Sequence, residues 1–217
     1  MTSRMIITRP EHDPGTRYLS CWSKGIIKEA KKKNIDVTDL HKEKATKREL
    51  EGRLQKISPM LVVLNGHGND ECVFGHDNEV LISLKNSHLL NGKITYAVSC
   101  NSAKKLGKSC DGQDTAYIGY DEKFVFNLER RYLSDPLKDQ RAAQFLHASN
   151  QVVLSLIKGH TAEESSRSSK RFFREAILKL LPSADNNPHA REDAADLFWD
   201  MNHQVCEGNG NLFIQSA

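Results

Sequence analysis

Over the first 120 positions the apolar residues fall into two alternating patterns. Short unbroken apolar runs are separated by stretches in which apolar positions recur every three or four residues, the marks of strands and helices respectively. Met5–Thr8 has the character of a strand. Beyond Pro10 and Pro14, Leu19, Trp22, Ile26 and Ala30 fall on one face of a predicted helix. Ile35–Leu40 is strand-like, and Thr46 opens a charged helix that runs to about Ile57, where Ser58-Pro59 stops it. Met60-Leu61-Val62-Val63-Leu64 is apolar throughout, as expected of a strand covered on both faces. Gly66-His67-Gly68-Asn69-Asp70 then breaks it. Residues 72–84 mix β-formers with Gly75-His76-Asp77-Asn78 and predict a hairpin, and 86–91 read as a short helix or turn. Ile94–Ser99 predicts another apolar strand with Cys100 at its end, 101–108 a short helix, and Thr115–Tyr120 a further strand. This alternation predicts an α/β protein, a mostly parallel sheet with helices on both faces.

After residue 120 the pattern changes. Residues 121–136 form a polar loop region dotted with aromatics. Ala142, Phe145, Leu146, Val152, Val153, Leu156 and Ile157 recur at helical spacing. Thr161-Ala162-Glu163-Glu164 is a capping-box pattern opening a second helix, with Phe172, Phe173, Ile177, Leu180 and Leu181 on its apolar face and Pro182 at its close. A third helix is predicted over about 190–205, with Ala194, Phe198, Met201 and Val205 facing inward. Gly208-Asn209-Gly210 reads as a turn and Leu212–Gln215 as a last strand. There is no internal repeat. A length of 217 residues suits one domain over 1–217, an α/β core at 1–120 followed by a loop region and a helical part at 121–217.

Composition narrows the class. With 38% hydrophobic and 27% charged residues, the chain can build a core and remain soluble. No apolar run approaches the ~20 residues of a membrane span. The N-terminal apolar stretch is too short for a signal-peptide core, so a cytoplasmic protein is expected. The formal charge of +3 is spread along the chain. Lys31-Lys32-Lys33 sits at a predicted helix end, where cations suit the helix dipole. No aromatic residues interleave with it, so a nucleic-acid partner is not expected. The five cysteines, Cys21, Cys72, Cys100, Cys110 and Cys206, form no Cys-x-x-Cys pair, which argues against a zinc or disulfide framework.

Cys100 is set apart by its position. Two apolar strands end in reactive residues: Leu61–Asn65 runs into Gly66-His67-Gly68, and Tyr96–Ser99 runs into Cys100-Asn101-Ser102-Ala103. Ligands in an open parallel sheet bind at the carboxyl ends of strands. If these strands are neighbours, His67 and Cys100 emerge side by side. An imidazole can take the proton of a thiol and later give it to a leaving amine. The glycines let backbone approach substrate closely, so the Gly68 and Cys100 amides are candidate oxyanion donors. A helix beginning after Cys100 would favour the thiolate through its dipole. Such chemistry requires no metal and no organic cofactor. Taken singly, a Cys reads as a small hydrophobe and a His as a satisfied polar residue; the two motifs at paired strand ends point to function.

Leu64-Asn65-Gly66-His67-Gly68 followed by Val98-Ser99-Cys100-Asn101-Ser102-Ala103 resembles the His-Gly and Cys motifs of the caspase–gingipain–clostripain clan, and is most similar to bacterial caspase-like, CHAT-type proteases. The resemblance covers about half the chain. It implies a three-layer α/β/α caspase-like (caspase–hemoglobinase) fold with extra C-terminal helices. It also implies a cysteine endopeptidase with His67 as general acid/base, Cys100 as nucleophile, no obligatory third carboxylate, and the Gly68 and Cys100 amides as the oxyanion hole. A specific protein would be the substrate, in a bacterial regulatory or defence setting, with an activating partner protein possible. The pentapeptide that surrounds the caspase cysteine is absent, so aspartate specificity is not implied.

Clan specificity pockets draw on the loops after the first strand and near the cysteine. Here Asp13 would suit an Arg or Lys side chain and Arg9 an acidic one; equally, Asp13 would cap the following helix and Arg9 would be solvated. Asp121 and Glu122 add negative candidates, giving an expected basic preference. With that preference, Glu129-Arg130-Arg131-Tyr132 becomes a candidate self-processing site. The competing readings are a catalytically silent caspase-like interaction module and a non-peptidase hydrolase using the same cysteine.

Overall fold

The structure, a computed structural model, describes residues 3–183 and 186–214. In chain order it contains β1 (Arg4–Arg9), α1 (Pro14–Lys32), β2 (Asp36–His41), α2 (Lys47–Ile57), β3 (Leu61–Asn65), β4 (Gly68–Asn69), β5 (Cys72–Phe74), β6 (Val80–Ser83), β7 (Ile94–Val98), β8 (Ala116–Tyr120), α3 (Gln140–Ile157), α4 (Ala162–Leu180), α5 (Ala190–His203) and β9 (Gln204–Gly208). The main sheet has the order β2-β1-β3-β7-β8-β9, and β4-β5-β6 form a small separate sheet. Strands β1, β2, β3, β7 and β8 are parallel, and β9 adds antiparallel to β8.

Side-chain alternation divides the core into two. Met5, Ile7, Leu61, Val63, Ile94, Tyr96, Ala116 and Ile118 pack under α1, α3, α4 and α5. Ile6, Val62, Leu64, Ala97 and Tyr117 point the other way, beneath α2, the β5–β6 hairpin and the turn at Leu90. Strands buried on both faces need apolar residues at every position, which is why β3 and β7 read as unbroken runs. The result is a three-layer α/β/α arrangement with helices covering both faces, as the sequence pattern predicts.

Three local expectations are corrected. Residues 101–108 form turns and a short 3₁₀ segment at Gly107–Ser109, not a helix. Asn101 lies at φ 62°, and its neighbours bond outward: Asn101 N–H to the Glu122 carbonyl at 2.9 Å, Ala103 N–H to Tyr120 at 3.0 Å and Leu106 N–H to Asp70 at 3.0 Å. These tertiary partners outcompete the local helical ladder. The last strand is β9, before the glycine turn; Phe213 makes one isolated bridge to Thr161, and Gln215 lies outside the described residues. On α5, Leu197 is fully buried while Phe198 is 57% exposed, so the inner face is turned by one position from the expected one.

Candidate active site

Strands β3 and β7 are hydrogen-bonded neighbours, with Leu61 opposite Ile94 and Asn65 opposite Val98. Because they run in the same direction, the chain leaves both at one edge of the sheet, as Gly66-His67-Gly68 and as Ser99-Cys100. Both glycines are needed by packing. A Cβ on Gly66, at φ 156°, would fall on the Phe74 carbonyl oxygen. A Cβ on Gly68 would stand 2.6 Å from the Cys100 carbonyl oxygen and 2.8 Å from Ser99 Cβ. The histidine loop is therefore seated directly on the backbone of the cysteine.

The loop's other side is held by β5, where the Phe74 N–H donates to the His67 carbonyl at 2.9 Å. Gly68 stands opposite Val73 in the same ladder. Alternation in an antiparallel ladder then directs the Gly68 N–H away from β5.

His67 and Cys100 line one cavity of about 180 Å³, together with Thr16, Leu19, Val98, Phe124 and Phe126. Leu19 and Thr16 come from α1, Val98 from the end of β7, and the two phenylalanines from the loop after β8. That loop is clamped to α5. Val125 N–H donates to Asp200 Oδ1 at 2.9 Å, Trp199 Nε1 donates to the Lys123 carbonyl at 2.9 Å, and Asn127 reaches Asp193 and Asp196 at 2.8 Å. A larger surface cleft of about 670 Å³, between β2 and α2, includes neither His67 nor Cys100.

Asp13 has two roles. Its Oδ1 accepts the Thr16 N–H at 2.9 Å and, with Thr16 Oγ1 accepting the Asp13 N–H at 3.2 Å, completes a capping box on α1. Its Oδ2 lies 2.7 Å from His67 Nε2. Burial pushes the Asp13 carboxyl up, but the Thr16 amide and His67 pull harder and leave it below its ordinary value. A carboxylate thus fixes one ring nitrogen of His67 and leaves Nδ1 for other partners. The sequence reading offered Asp13 as pocket acid or helix cap; it caps, and its contact with His67 was not foreseen.

Burial pushes the Cys100 thiol up and outweighs a backbone hydrogen bond at Phe124 and the Lys123 charge, which pull it down, while Asp200 adds to the rise. The Sγ lies 3.8 Å from the Phe124 carbonyl oxygen. With turns in place of a helix after Cys100, the expected helix-dipole assistance to the thiolate is absent. The resting thiol is protonated, and its proton must be removed by a base when it reacts.

The remaining specificity candidates lie elsewhere. Arg9 is 4% exposed, forked onto Asp39 at 2.6 and 2.9 Å and bonded to the Ser20 hydroxyl and carbonyl, so it is neither solvated nor facing the cavity. Asp121 meets His203 Nδ1 at 2.9 Å, and Glu122 pairs with Lys104 at 3.2 Å. Among the described residues no carboxylate lines the cavity, so the expected basic preference lacks a counter-charge there. Sequence reasoning missed Phe124, Phe126 and Asp200; the aromatics dotting 121–136 were the available signal for the first two.

A central parallel sheet between helical layers, with a histidine loop and a cysteine at adjoining strand ends, defines a caspase-like α/β/α fold. The same fold is found in the Arg specific cysteine proteinase gingipain R (RgpB), with a TM-score of 0.63 and 10% identity, covering 99% of this chain and 48% of that one. A complex of Porphyromonas gingivalis RgpB pro- and mature domains matches with a TM-score of 0.60 and 8% identity over 99% and 48% of the chains. The chain spans about half the length of these solved chains. At such identities the likeness establishes fold, and it does not single out the CHAT-type proteases. No family model and no curated protein matches the sequence. No described helix is long and apolar enough to cross a membrane.

Proposed function

We propose that this chain is a cysteine peptidase in which Cys100 attacks the scissile carbonyl and His67 moves the protons. The observation that carries this reading is that both residues line one cavity, with His67 Nε2 anchored at 2.7 Å by Asp13. His67 Nδ1 takes the thiol proton as sulfur attacks, so the charged pair forms only during reaction. The Gly68 and Cys100 N–H groups receive the oxyanion, a role supported by the close seating of Gly68 on the Cys100 backbone. The imidazolium, steadied by Asp13, returns its proton to the leaving amine. The acyl-thioenzyme is then hydrolysed by water that His67 deprotonates. No metal or organic cofactor enters these steps.

The same cavity is proposed to take the side chain preceding the cleaved bond. Leu19, Val98, Phe124 and Phe126 give it apolar walls. An Arg or Lys placed there would lose its water without gaining a partner. An apolar residue of leucine-to-phenylalanine size is therefore preferred over a basic one. The Glu129-Arg130-Arg131-Tyr132 segment accordingly loses its basis as a self-processing site.

Assaying fluorogenic peptides ending in Leu, Phe, Arg and Asp, with Cys100→Ala as control, tests both claims. Turnover should be at least about tenfold faster for Leu or Phe than for Arg, a discrimination of ~1.4 kcal/mol. Equal turnover by Cys100→Ala would sink the mechanism. No turnover of any peptide would favour the silent interaction module.

A further inference from the structure

We propose that His12, Asp13 and His67 form a binding site for a divalent transition metal of the zinc class, and that metal bound there switches off the cleft. The switching half rests on the peptidase reading above; the binding half does not.

His12 carries the argument. Its side chain is only 10% exposed, yet neither ring nitrogen has a hydrogen-bond partner among the described residues. Buried polar atoms are nearly always paired, so an imidazole orphaned at both nitrogens calls for a ligand. Its Nε2 lies 3.1 Å from Asp13 Oδ2, close but without hydrogen-bond alignment. His67 Nε2 lies 2.7 Å from the same oxygen. Two imidazoles thus converge on one carboxylate oxygen, and the ligand atoms of the three residues all lie within 4.8 Å of one another. Zinc bonds of about 2.0–2.1 Å in a tetrahedron place ligand atoms roughly 3.3 Å apart, so small side-chain movements complete the sphere. Two imidazoles and a carboxylate suit zinc and its neighbours, not the oxygen-seeking magnesium or calcium.

The frame is already rigid. Pro10 and Pro14 flank the loop, and Asp13 is fixed by its capping contacts. His76 backs His12, with ring centroids 5.5 Å apart. His67, half exposed, gives an ion a way in, and water can fill the fourth position. A second trio, His12, His76 and Asp77, shares His12 but uses an 81% exposed carboxylate and does not include His67.

The consequence for chemistry is direct. A metal on His67 Nε2 confines the ring's proton to Nδ1, which then has no lone pair for the Cys100 proton. Asp13 exchanges its hydrogen bond for a metal bond.

Calorimetric titration of zinc chloride into the full chain carrying Cys100→Ala reads binding without catalysis. One zinc per chain is expected. Both His12→Gln and His67→Gln should weaken binding at least tenfold, while Asp77→Asn leaves it unchanged. His67 is exposed, so its variant remains informative if His12→Gln fails to fold. Unchanged binding in His67→Gln, or loss in Asp77→Asn, would overturn the assignment. In the active protein, zinc should inhibit turnover reversibly with chelator, and His12→Gln should blunt this relative to its own zinc-free rate. A chain that binds zinc as described but cleaves no peptide refutes the peptidase reading and leaves the metal site standing.

Discussion

Asp13 uses its two oxygens for different purposes, one closing the first turn of α1 and the other holding His67. The roles can be separated by one substitution. Asn caps helices about as well as Asp, so Asp13→Asn should leave the melting temperature nearly unchanged. An amide cannot steady an imidazolium as a carboxylate does and favours a different ring tautomer. The turnover number should therefore fall at least about tenfold, checked by steady-state kinetics beside thermal unfolding. A parallel loss of stability and activity would mean that Asp13 is only a cap. At this scale the placing of His67 and Cys100 at adjoining strand ends was legible because glycine and small polar residues interrupt fully apolar runs. Asp13 was only half legible, since a residue 54 places before His67 gives no local sign of meeting it. Arg9 was misread because a buried, paired arginine looks in sequence like a solvated one.

At the scale of elements, the proposed dyad depends on how closely the β3 and β7 ends are stacked. Gly68→Ala places a methyl group against the Cys100 carbonyl and Ser99 Cβ, which are backbone and short side chain with little freedom to yield. Displacing the loop by even ~1 Å should lower kcat/KM about a hundredfold, whereas unfolding by urea should shift far less. Retained activity would remove Gly68 from the site. Strand and helix positions were well marked by apolar period. The failures came where tertiary partners overrode it. The expected 101–108 helix gives way to bonds with Glu122, Tyr120 and Asp70. The α5 helix presents Asp193 and Asp200 to the interior, where pattern reading assigns carboxylates to solvent. Asp193 is admitted by Arg141, whose Nη2 lies 2.6 Å away. The C-terminal strand was misplaced because Gln204–Gly208 satisfies the open edge of β8, a demand set by the sheet and invisible locally.

For the whole molecule, Asp200 is a costly interior group. It is fully buried, and its Oδ2 has no hydrogen-bond partner among the described residues. Burial holds its carboxyl well above the ordinary range, so the folded protein keeps a proton that the unfolded chain releases. Stability from this group is therefore greatest below the unfolded carboxylate value and falls as pH rises toward the folded one, by up to about 1.4 kcal/mol per pH unit. Asp200→Asn retains an acceptor for Val125 and removes the titration. Urea unfolding across mildly acid to neutral pH should show a shallower decline for the variant than for the natural chain. Identical slopes would mean that Asp200 titrates normally.

The clamp of α5 on the Phe124–Phe126 loop has a temporal side. The wall of the cavity is set by residues from Asp193 to His203, while His67 and Cys100 are translated long before them. A ribosome-bound chain thus holds both residues before the helix that fixes the cavity wall has been made. On the proposed peptidase reading, whatever the cleft cuts is spared until α5 has been made, so synthesis order itself acts as a safeguard against premature damage to nascent neighbours.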